Sequence, residues 1–569
     1  MALTADDART SDPASESPPA RWSWRPSPAA LLIVAFLLFI TGWVFSNPPG
    51  MYSDEGEHYT RALGVAQLDL RGGPGHYGPG YGWTAREVRW FNKAARSFVM
   101  PPGLAPDAFY CDIFQPLKTA ACLSNIKVPM VPLRRATYVG TYEPFAYFLP
   151  GLAADFGHNP TASLLRGRAV SGLVCVLLLA LAVLVLWVPR AGPWSLVGLL
   201  VGVTPTVLFE ASGLSPAGPE ICADICVLAA VMSLTRPGGA MRERRLPWVA
   251  FTAGGMVLTT AKSDGFAYFG LCLLLMVAMT GGPRPTWRLL RSGGRKAAWT
   301  AAGIAVALIA EAWWQIGYQA HTSLLFGETV HVVRQMYHDL PLLLEQMVAS
   351  FAWSDVLAHP VDYLVWMVLV VGLVAVAALA APRRGRLLLA GVVVSMLVLT
   401  PVIVLQETSI GSPTFGRYTL PFWVALPLLA GELLYRHRGR LGETLPTRLP
   451  LYIAVGATAV HLTSWWFNGR RYAVTVVGPL FFPPHAAWSP PLGWYFWMAV
   501  YLLAGGAMIA AAARSLGAGQ PTQGAPSRVG PYDELATPNG VRNGASESGA
   551  RERPNGGARL DDPSPQVSS

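Results

Sequence analysis

A series of long apolar segments between residues 29 and 514 constrains this chain more than any other feature. Hydrophobic residues make up 52% of the 569 residues and charged residues only 13%. Soluble domains carry roughly 25% charged residues, and a helix needs about 17–25 mostly apolar residues to cross a bilayer. The composition therefore predicts a protein that crosses a membrane many times.

Twelve segments are candidates for transmembrane helices, so we predict an all-α membrane protein with about 12 spans, within a range of 11–13. Only the stretch Lys262–Gly265 divides the fifth segment from the sixth. The predicted spans are 29–46, 168–188, 194–211, 217–235, 247–262, 265–281, 297–316, 361–381, 386–404, 420–436, 450–467 and 493–514.

The orientation of these spans follows from the basic loops. Cytoplasmic loops of membrane proteins collect Lys and Arg, and twelve spans with a cytoplasmic N-terminus place every strongly basic loop inside. The same loops account for the net charge of +10, so we predict membrane lipids and no nucleic acid as partners. The basic loops are 236–245, 284–296, 383–386 and 436–448.

The predicted organisation has three parts. Residues 1–28 form a cytoplasmic N-terminal tail, residues 29–514 form the transmembrane domain, and residues 515–569 form a cytoplasmic C-terminal tail. A large extracytoplasmic loop covers residues 47–167. Both tails contain too few apolar residues to offset the entropy of ordering, so we predict that they are disordered.

One segment of the large loop has helical periodicity. Over residues 84–99, apolar side chains line one face and Arg and Lys side chains line another. This pattern predicts a helix that lies flat in the lipid interface with its cations toward phosphate groups. An amphipathic helix packed on other residues of the loop is the alternative.

Two cysteines of the large loop could form a disulfide. Cys111 and Cys122 are both in this loop, and they could pair if it faces an oxidising exterior. The other four cysteines lie inside apolar segments, where cysteine behaves as a small hydrophobic residue.

Asp54 and Glu55 are adjacent acids that follow the first span. Either could accept a proton from an acceptor hydroxyl as that hydroxyl attacks the first carbon of a sugar. His58 lies one helical turn after Asp54, and the two could bind a divalent cation, although no third ligand is identifiable. Alternatively, Ser53 is a helix N-cap and the acids only complement the helix dipole.

Lys262, Asp264 and Arg417 place charge where spans begin or end. Arg417 and Tyr418 lie in the segment Phe415–Pro421 at the start of the tenth span. Cations outside the membrane run against the usual bias, and they could hold a phosphate and stabilise the charge of a leaving group. A snorkelling side chain or an ion pair between Lys262 and Asp264 is the alternative.

Three acids flank or enter the third and fourth spans. Acids in lipid usually face a polar cavity, so these acids could line a substrate cleft or pair with the cations. They are Glu210, Glu220 and Asp224.

Two further segments, which lie outside the predicted spans, are expected to form helices. The aromatic segment Tyr142–Pro150 predicts a helix docked in the outer leaflet, and its Glu143 could contribute to acceptor binding. Residues 328–339 predict a helix next to the membrane.

These motifs resemble the GT-C superfamily of polyprenyl-phosphate-dependent glycosyltransferases, and most of all the bacterial membrane family named domain of unknown function 2142. The family hallmark is similar to Pro-Asp-Glu-Pro-x-His, and here Ser53 and Gly56 replace its prolines. The family often has Ser-Pro-Asp where this chain has Ser-Pro-Ala. The other matching motifs, in the expected order, are Ser212–Gly218, Ala261–Lys262 and Gly416–Pro421.

The resemblance implies an inverting enzyme of the plasma membrane. It would move a sugar from a polyprenyl-phosphate donor to a glycan or glycoprotein acceptor of the cell envelope, outside the cytoplasm. Asp54 or Glu55 would be the general base, and Arg417 with Lys262 would hold the donor phosphate. The predicted substrate-binding residues also include His58, Asp264, Tyr418 and Glu220. The resemblance fixes no particular cofactor, and a divalent cation is the one candidate.

Two other classes of function remain open at this point. A transporter or flippase of lipid-linked sugars typically has repeated halves and broken helices with polar residues near mid-membrane. Here no repeat is visible and the polar residues cluster at one face. A non-catalytic envelope scaffold is the third class. The glycosyltransferase prediction requires that the early carboxylates and the late Arg417 meet in one pocket near the outer leaflet.

Overall fold

The computed structural model describes residues 26–77, 85–106, 109, 111–320, 326–409, 415–440 and 448–516. The predicted disordered tails lie almost wholly outside these residues. The helices are α1 Pro28–Ser46, α2 Glu55–Ala66, α3 Ala85–Ala94, α4 Phe145–Asp155, α5 Pro160–Leu186, α6 Val197–Gly202, α7 Pro205–Glu210, α8 Ala217–Leu234, α9 Ala240–Glu243, α10 Leu246–Ala261, α11 Gly265–Thr280, α12 Pro283–Ser292, α13 Arg295–Tyr318, α14 Phe326–His338, α15 Leu340–Ala349, α16 Pro360–Ala380, α17 Arg383–Ser409, α18 Gly416–Trp423, α19 Ala425–His437, α20 Leu449–Val474 and α21 Gly493–Leu516.

Several of these helices are long and apolar enough to cross a membrane. Within the described residues there are eight such spans, and nine if α11 and α12, which bend by 99° at their junction, form one broken span. The eight are α1, α5, α8, α13, α16, residues Arg383–Leu405 of α17, the continuous run Gly416–Arg440, and residues Gly493–Arg514 of α21. The mostly helical, multi-span class is confirmed, whereas the count of twelve is not.

The predicted spans that depart from the structure do so for local reasons. The third is broken, because Pro205 has no backbone N–H and Thr204 caps a new helix by accepting from the Val207 N–H at 3.2 Å. The fifth and sixth are helices of 16 residues each. The eleventh lies within α20, a helix of 26 residues, but it carries buried polar side chains such as Thr458, His461 and Ser464.

Two small antiparallel sheets, which the prediction does not include, accompany the helices. The strands are β1 Gly73–Pro74, β2 Arg96–Met100 and β3 Leu133–Thr137 in the first sheet, with order β1-β2-β3, and β4 Ser350–Phe351 and β5 Val356–Leu357 in the second. Strands β2 and β3 pair from Arg96 opposite Thr137 to Met100 opposite Leu133.

Strand β2 corrects the prediction of one amphipathic helix over residues 84–99. Residue 84 lies outside the described residues, and helix α3 ends at Ala94. The Phe98 ring is fully buried against Gly64 of α2, where an added Cβ would overlap it. This packing and the ladder with β3 outweigh the helical periodicity of the segment, since tertiary contacts routinely override local preference.

Helix α8 is the centre of the helical packing. All of its residues are buried, and it packs against α5, α10, α11 and α18. Small residues permit the close approach, because an added Cβ on Gly254 of α10 would lie 3.0 Å from Val227 and 3.1 Å from the Ala223 carbonyl. Helix α8 thus packs closely on α10, and it also packs on α18, which carries Arg417.

An ion cluster fixes the opposite end of α8. The Arg236 guanidinium donates two hydrogen bonds to the Glu432 carboxylate, at 2.9 and 2.7 Å, and Arg436 donates a third at 2.8 Å. Glu432 is buried on α19, so this carboxylate ties α8 to α19. The cluster lies in the basic segments that the sequence places in the cytoplasm.

The large loop between α1 and α5 is folded. It ends at Asn159 rather than at residue 167, because the Asn159 side chain caps α5 by accepting from the Ala162 N–H at 2.8 Å. The predicted helices near Tyr142–Pro150 and 328–339 are present as α4 and α14. Within this loop α2 packs on α4, so the start of α2 is held over the helical bundle.

The Cys111–Cys122 disulfide is present, with Cα atoms 6.0 Å apart. The loop that it closes is tied to α20 by Arg471. The Arg471 guanidinium donates to the Asp112, Gln115 and Lys118 carbonyl oxygens at 2.8, 3.1 and 2.7 Å. The disulfide therefore orders a segment that docks on the membrane helices.

Replacing both cysteines with serine is expected to lower the free energy of unfolding by about 2–3 kcal/mol, because a short closed loop restricts the unfolded chain. Thermal unfolding of the purified protein measures the loss. A reducing agent should destabilise the wild type and leave Cys111→Ser/Cys122→Ser unchanged. Equal melting temperatures for the two proteins without reductant would contradict this prediction.

Candidate functional site

Asp54 stands immediately before α2 in a left-handed backbone conformation, with φ 59° and ψ 13°. Its carbonyl oxygen accepts from the Glu57 and His58 N–H groups, while its carboxylate makes no capping hydrogen bond. Ser53 is not the N-cap, since its hydroxyl donates to the Ala352 carbonyl instead. The Asp54 carboxylate is thus available for contacts outside its own helix.

Arg417 of α18 provides the main contact of that carboxylate. The Arg417 Nη2 lies 3.2 Å from Asp54 Oδ2, although the two residues are 363 positions apart in the chain. The Tyr138 hydroxyl, which follows β3, donates to Asp54 Oδ1. The structure therefore brings the early carboxylate and the late arginine together, as the sequence predicts.

Tyr418 joins a second cation to this cluster. Its hydroxyl accepts from Arg417 Nη2 at 3.0 Å, and the Arg417 guanidinium lies 4.8 Å from the centre of its ring. The Lys262 ammonium lies 4.4 Å from the centre of the same ring. Two cations therefore flank one aromatic ring, an arrangement that attracts each cation to the ring face.

Lys262 also has the carboxylate partner that its sequence suggests. Its Nζ lies 3.3 Å from Asp264 Oδ2, and both side chains are buried at the break between α10 and α11. The predicted ion pair and the predicted position near Arg417 therefore hold at the same time.

Of the acids in the third and fourth predicted spans, Glu210 lies near this cluster and Glu220 lies on a helix that packs against it. Glu210 at the end of α7 is buried within electrostatic reach of Arg417, Asp54 and Lys262. Glu220 is buried in the first turn of α8, the helix that packs on α18.

The third acid, Asp224, lies elsewhere. It accepts from the Cys272 thiol at 3.1 Å. It lines an apolar cavity of about 380 Å³ between α8, α11 and α17.

Glu55 points away from Asp54 and is held by Arg168 of α5. The Arg168 guanidinium donates to both Glu55 oxygens, one at 2.6 Å, and both side chains are fully buried. The Gly50 and Leu214 N–H groups donate to the same carboxylate at 2.9 and 3.3 Å. The sequence predicts Asp54 or Glu55 as the base, and the structural contacts that occupy the Glu55 oxygens favour Asp54.

His58 is buried beside the cluster as a neutral imidazole. Burial, together with the smaller effect of the nearby positive Arg417 and Lys262, lowers its pKa to about 3. Its Nδ1 lies 2.7 Å from the Tyr147 hydroxyl of α4. This contact occupies one of the two ring nitrogens with which the predicted Asp54–His58 pair could bind a divalent cation.

The described residues contain one group of three side chains that could together hold a metal ion, and it lies away from Asp54. It consists of Cys111, Asp112 and Cys122, whose cysteines form the disulfide. No third ligand joins Asp54 and His58 among the described residues. The residues present therefore do not make a metal centre at Asp54.

Glu57 is a carboxyl near Asp54 that sequence reasoning missed. It accepts from the Tyr77 hydroxyl at 2.7 Å, and burial raises its pKa despite that hydrogen bond. The contacts of Tyr138 and Tyr77 depend on the fold of the large loop and left no recognisable sequence signal. Arg168 did have a signal, since a lone cation in an apolar span implies a buried partner.

Glu143 lies in a buried group with Glu311 and Gln315 of α13, within electrostatic reach of Asp264. The Gln315 amide donates to Glu143 at 2.9 Å and to Glu311 at 2.8 Å. Burial raises the pKa of Glu143 well above its usual value, and the neighbouring Glu311 raises it further. This group links the large loop to α13, and Arg61 of α2 is the cation within electrostatic reach of Glu143.

The fold and this cluster define a membrane protein with several spans and a buried group of charged side chains at the end of its helical bundle. Residues 37–426 match the family model described as predicted membrane protein, DUF2142. The chain belongs to this family, and the matched range includes Asp54, Lys262 and Arg417. No curated protein and no solved structure matches the chain.

Proposed function

We propose that this protein is a membrane glycosyltransferase that moves a sugar from a polyprenyl-phosphate donor to a glycan or glycoprotein acceptor of the cell envelope. Its active site would be the Asp54–Arg417 cluster, on the extracytoplasmic side of the plasma membrane. The observation that carries the proposal is the 3.2 Å contact between Asp54 and Arg417, with Lys262 4.4 Å from the centre of the Tyr418 ring that Arg417 also contacts. The likeness of the motifs to the GT-C superfamily supports it.

The proposed reaction is a single inverting displacement. The acceptor hydroxyl attacks the first carbon of the sugar and its proton passes to the Asp54 carboxylate. The bond between that carbon and the phosphate oxygen breaks, and its electron pair leaves with the polyprenyl phosphate. Arg417 and Lys262 stabilise the negative charge that grows on this phosphate.

The Asp54–Arg417 ion pair suits this scheme as the arrangement before the donor binds. A phosphate next to Arg417 would compete for the guanidinium, because charge-assisted bonds from arginine to phosphate are strong and often bidentate. Asp54 would then keep its hydrogen bond from Tyr138 and be available to the acceptor. Donor binding would in this way prepare the base.

The remaining predicted residues have supporting roles in the proposal. The neutral His58 can donate or accept one hydrogen bond without adding charge beside the phosphate. Tyr418 holds both cations in position, and Asp264 keeps Lys262 at its ring. Glu220 is assigned to substrate contact only through its position at the start of α8. No step of the scheme requires a metal ion.

Replacing Arg417 with lysine is expected to lower kcat/KM for the donor about ten- to a hundredfold. Lysine keeps the charge but loses the planar fork, and a hydrogen bond to a charged group contributes about 1.5–3 kcal/mol. Transfer from a synthetic polyprenyl-phosphate sugar to a soluble acceptor, with purified protein in detergent, measures the loss. Arg384→Lys, at an exposed arginine that donates to carbonyl oxygens of α11, is the matched control. Unchanged donor kinetics in Arg417→Lys would contradict the assignment.

A second candidate function, movement of lipid-linked sugars across the bilayer, has support in the interrupted helices. The break between α6 and α7 and the 99° bend between α11 and α12 resemble the broken helices of transporters. Proteoliposomes that contain a labelled lipid-linked sugar separate the two functions. Transfer to an acceptor supports the transferase, and a change of leaflet without transfer supports the flippase.

A further inference from the structure

A second charged site lies at the outer end of α13, apart from the Asp54 cluster. It is a cavity of about 380 Å³ between the first sheet, α3 and the last turn of α13. Its walls include three cations, Arg71, Lys93 and Arg96, and two aromatic side chains, Trp314 and Tyr318. None of its lining residues belongs to the Asp54 cluster.

The charges of this cavity are of one sign. No carboxylate is present among its described lining residues. The Arg71 guanidinium donates to the Tyr318 hydroxyl and lies 4.4 Å from the centre of that ring. Arg96 donates to the Lys93 and Ala95 carbonyl oxygens at 3.1 and 2.8 Å. Both guanidiniums are thus held by neutral groups, and a cavity lined by cations favours an anionic ligand.

Backbone packing holds Arg96 in this wall. An added Cβ on Gly140 would lie 2.5 Å from the Arg96 Cβ, and one on Gly72 would lie 2.9 Å from it. Gly72 also has a φ of +64°, which side chains other than glycine rarely adopt. Glycine at both positions lets the loop segments approach the Arg96 Cβ closely, and the carbonyl hydrogen bonds of the guanidinium then direct the rest of the side chain.

The cavity lies where lipid head groups are expected. Helix α13 is a candidate span that is mostly not covered by protein, and its final turns expose Ile309, Trp313 and Ile316. Ile316, next to the cavity, is 89% exposed. Exposed tryptophan at the end of an apolar helix is typical of the interface between hydrocarbon and head groups. The apolar face of α13 would accommodate acyl chains below the cations.

We propose that this cavity binds the phosphate of an anionic lipid head group, as a site distinct from the donor site. Arg71 and Arg96 contact the phosphate oxygens, and Lys93 adds positive charge from α3. The sheet and α13 form the two walls, and the hydrogen bond from Trp314 Nε1 to the Thr141 carbonyl at 2.8 Å holds these walls together. The bound lipid fixes the large loop on the outer end of α13.

The test measures lipid binding to the full-length protein in detergent by native mass spectrometry. The probes are a short-chain phosphatidic acid, a phosphatidylcholine with the same chains, and inorganic phosphate. The wild type is expected to prefer the phosphatidic acid. Arg71→Gln/Arg96→Gln is expected to bind it about thirtyfold more weakly, since each cation near a lipid surface contributes about 1 kcal/mol. The preference should also weaken as salt is added.

Two control variants keep the outcome interpretable. Arg89→Gln removes an exposed cation of α3 that does not line the cavity, and it should bind as the wild type does. Arg71→Lys/Arg96→Lys keeps both positive charges. If the glutamine variant loses affinity only because it loses charge, the lysine variant should bind the phosphatidic acid with an affinity within severalfold of the wild type. Equal affinity of the wild type and Arg71→Gln/Arg96→Gln would overturn the proposal. Inorganic phosphate binding as tightly as the lipid would overturn the lipid head group as the source of the phosphate.

Discussion

Replacing Asp54 with asparagine is expected to reduce sugar transfer by at least about 100-fold while leaving the protein folded. Asparagine has nearly the same shape and tolerates the left-handed conformation that Asp54 adopts at φ 59°. It can still accept a hydrogen bond from Tyr138. It has no negative charge, however, so it cannot take the proton of the acceptor hydroxyl. Alanine would be a poorer choice, since its backbone would be strained at this φ.

Two measurements check this prediction. Transfer by the purified protein reports the chemistry, and the sugar composition of the envelope in a deletion strain that expresses Asp54→Asn reports the substrate. Asp155→Asn, at an exposed residue that ends α4, is the matched control and should behave as the wild type. Wild-type transfer by Asp54→Asn would exclude Asp54 as the base. If the double variant Asp54→Asn/Arg417→Ala changes neither the sugar transfer nor the sugar composition of the envelope, a scaffold is favoured.

Hydrophobic pattern alone predicts the continuous spans well. The first span is predicted over 29–46 and is observed as Pro28–Ser46, because every turn of this helix is apolar and no residue interrupts it. The third predicted span shows the limit of the method. Its hydropathy is continuous, yet the Thr204–Pro205 pair ends one helix and begins another. A count of apolar residues takes no account of the backbone N–H that Pro205 lacks.

The candidate site is predictable only in part. Asp54, Lys262 and Arg417 stand out because charge near apolar segments is rare, and that rarity is visible in the sequence. The role of Tyr138 cannot be predicted from the sequence, because its contact with Asp54 depends on how the strands of the first sheet pair. The disulfide was left open for a similar reason, since the Cα separation of Cys111 and Cys122 is a property of the folded loop.

Adjacent acids can have unrelated roles, as Asp54 and Glu55 illustrate. Asp54 precedes α2 with a positive φ, whereas Glu55 is the first residue of the helix. This change of backbone conformation turns their side chains in different directions, one toward Arg417 and the other toward Arg168. Sequence proximity suggested a shared carboxylate pair, and the backbone between the two residues prevents it.

Replacing Glu55 with glutamine is therefore expected to destabilise the protein by about 3–5 kcal/mol, which is the usual effect of leaving one partner of a buried ion pair unpaired. Arg168 would retain its hydrogen bonds to the Asn47 and Pro48 carbonyl oxygens, at 2.8 Å each, but its charge would have no counter-charge. The yield of folded protein and its melting temperature measure the loss. Glu345→Gln, at an exposed glutamate of α15, is the control and should change neither.

A second substitution and an activity measurement test the same assignment more sharply. In Glu55→Gln/Arg168→Gln the unpaired charge is gone, so the double variant should lose less stability than the sum of the two single variants. Additive losses would contradict the ion pair as the source of the effect. The Glu55→Gln protein that does fold should retain transfer per molecule, because Asp54 is unchanged. A folded but inactive Glu55→Gln would return the base role to Glu55 and leave Asp54 as the partner of Arg417.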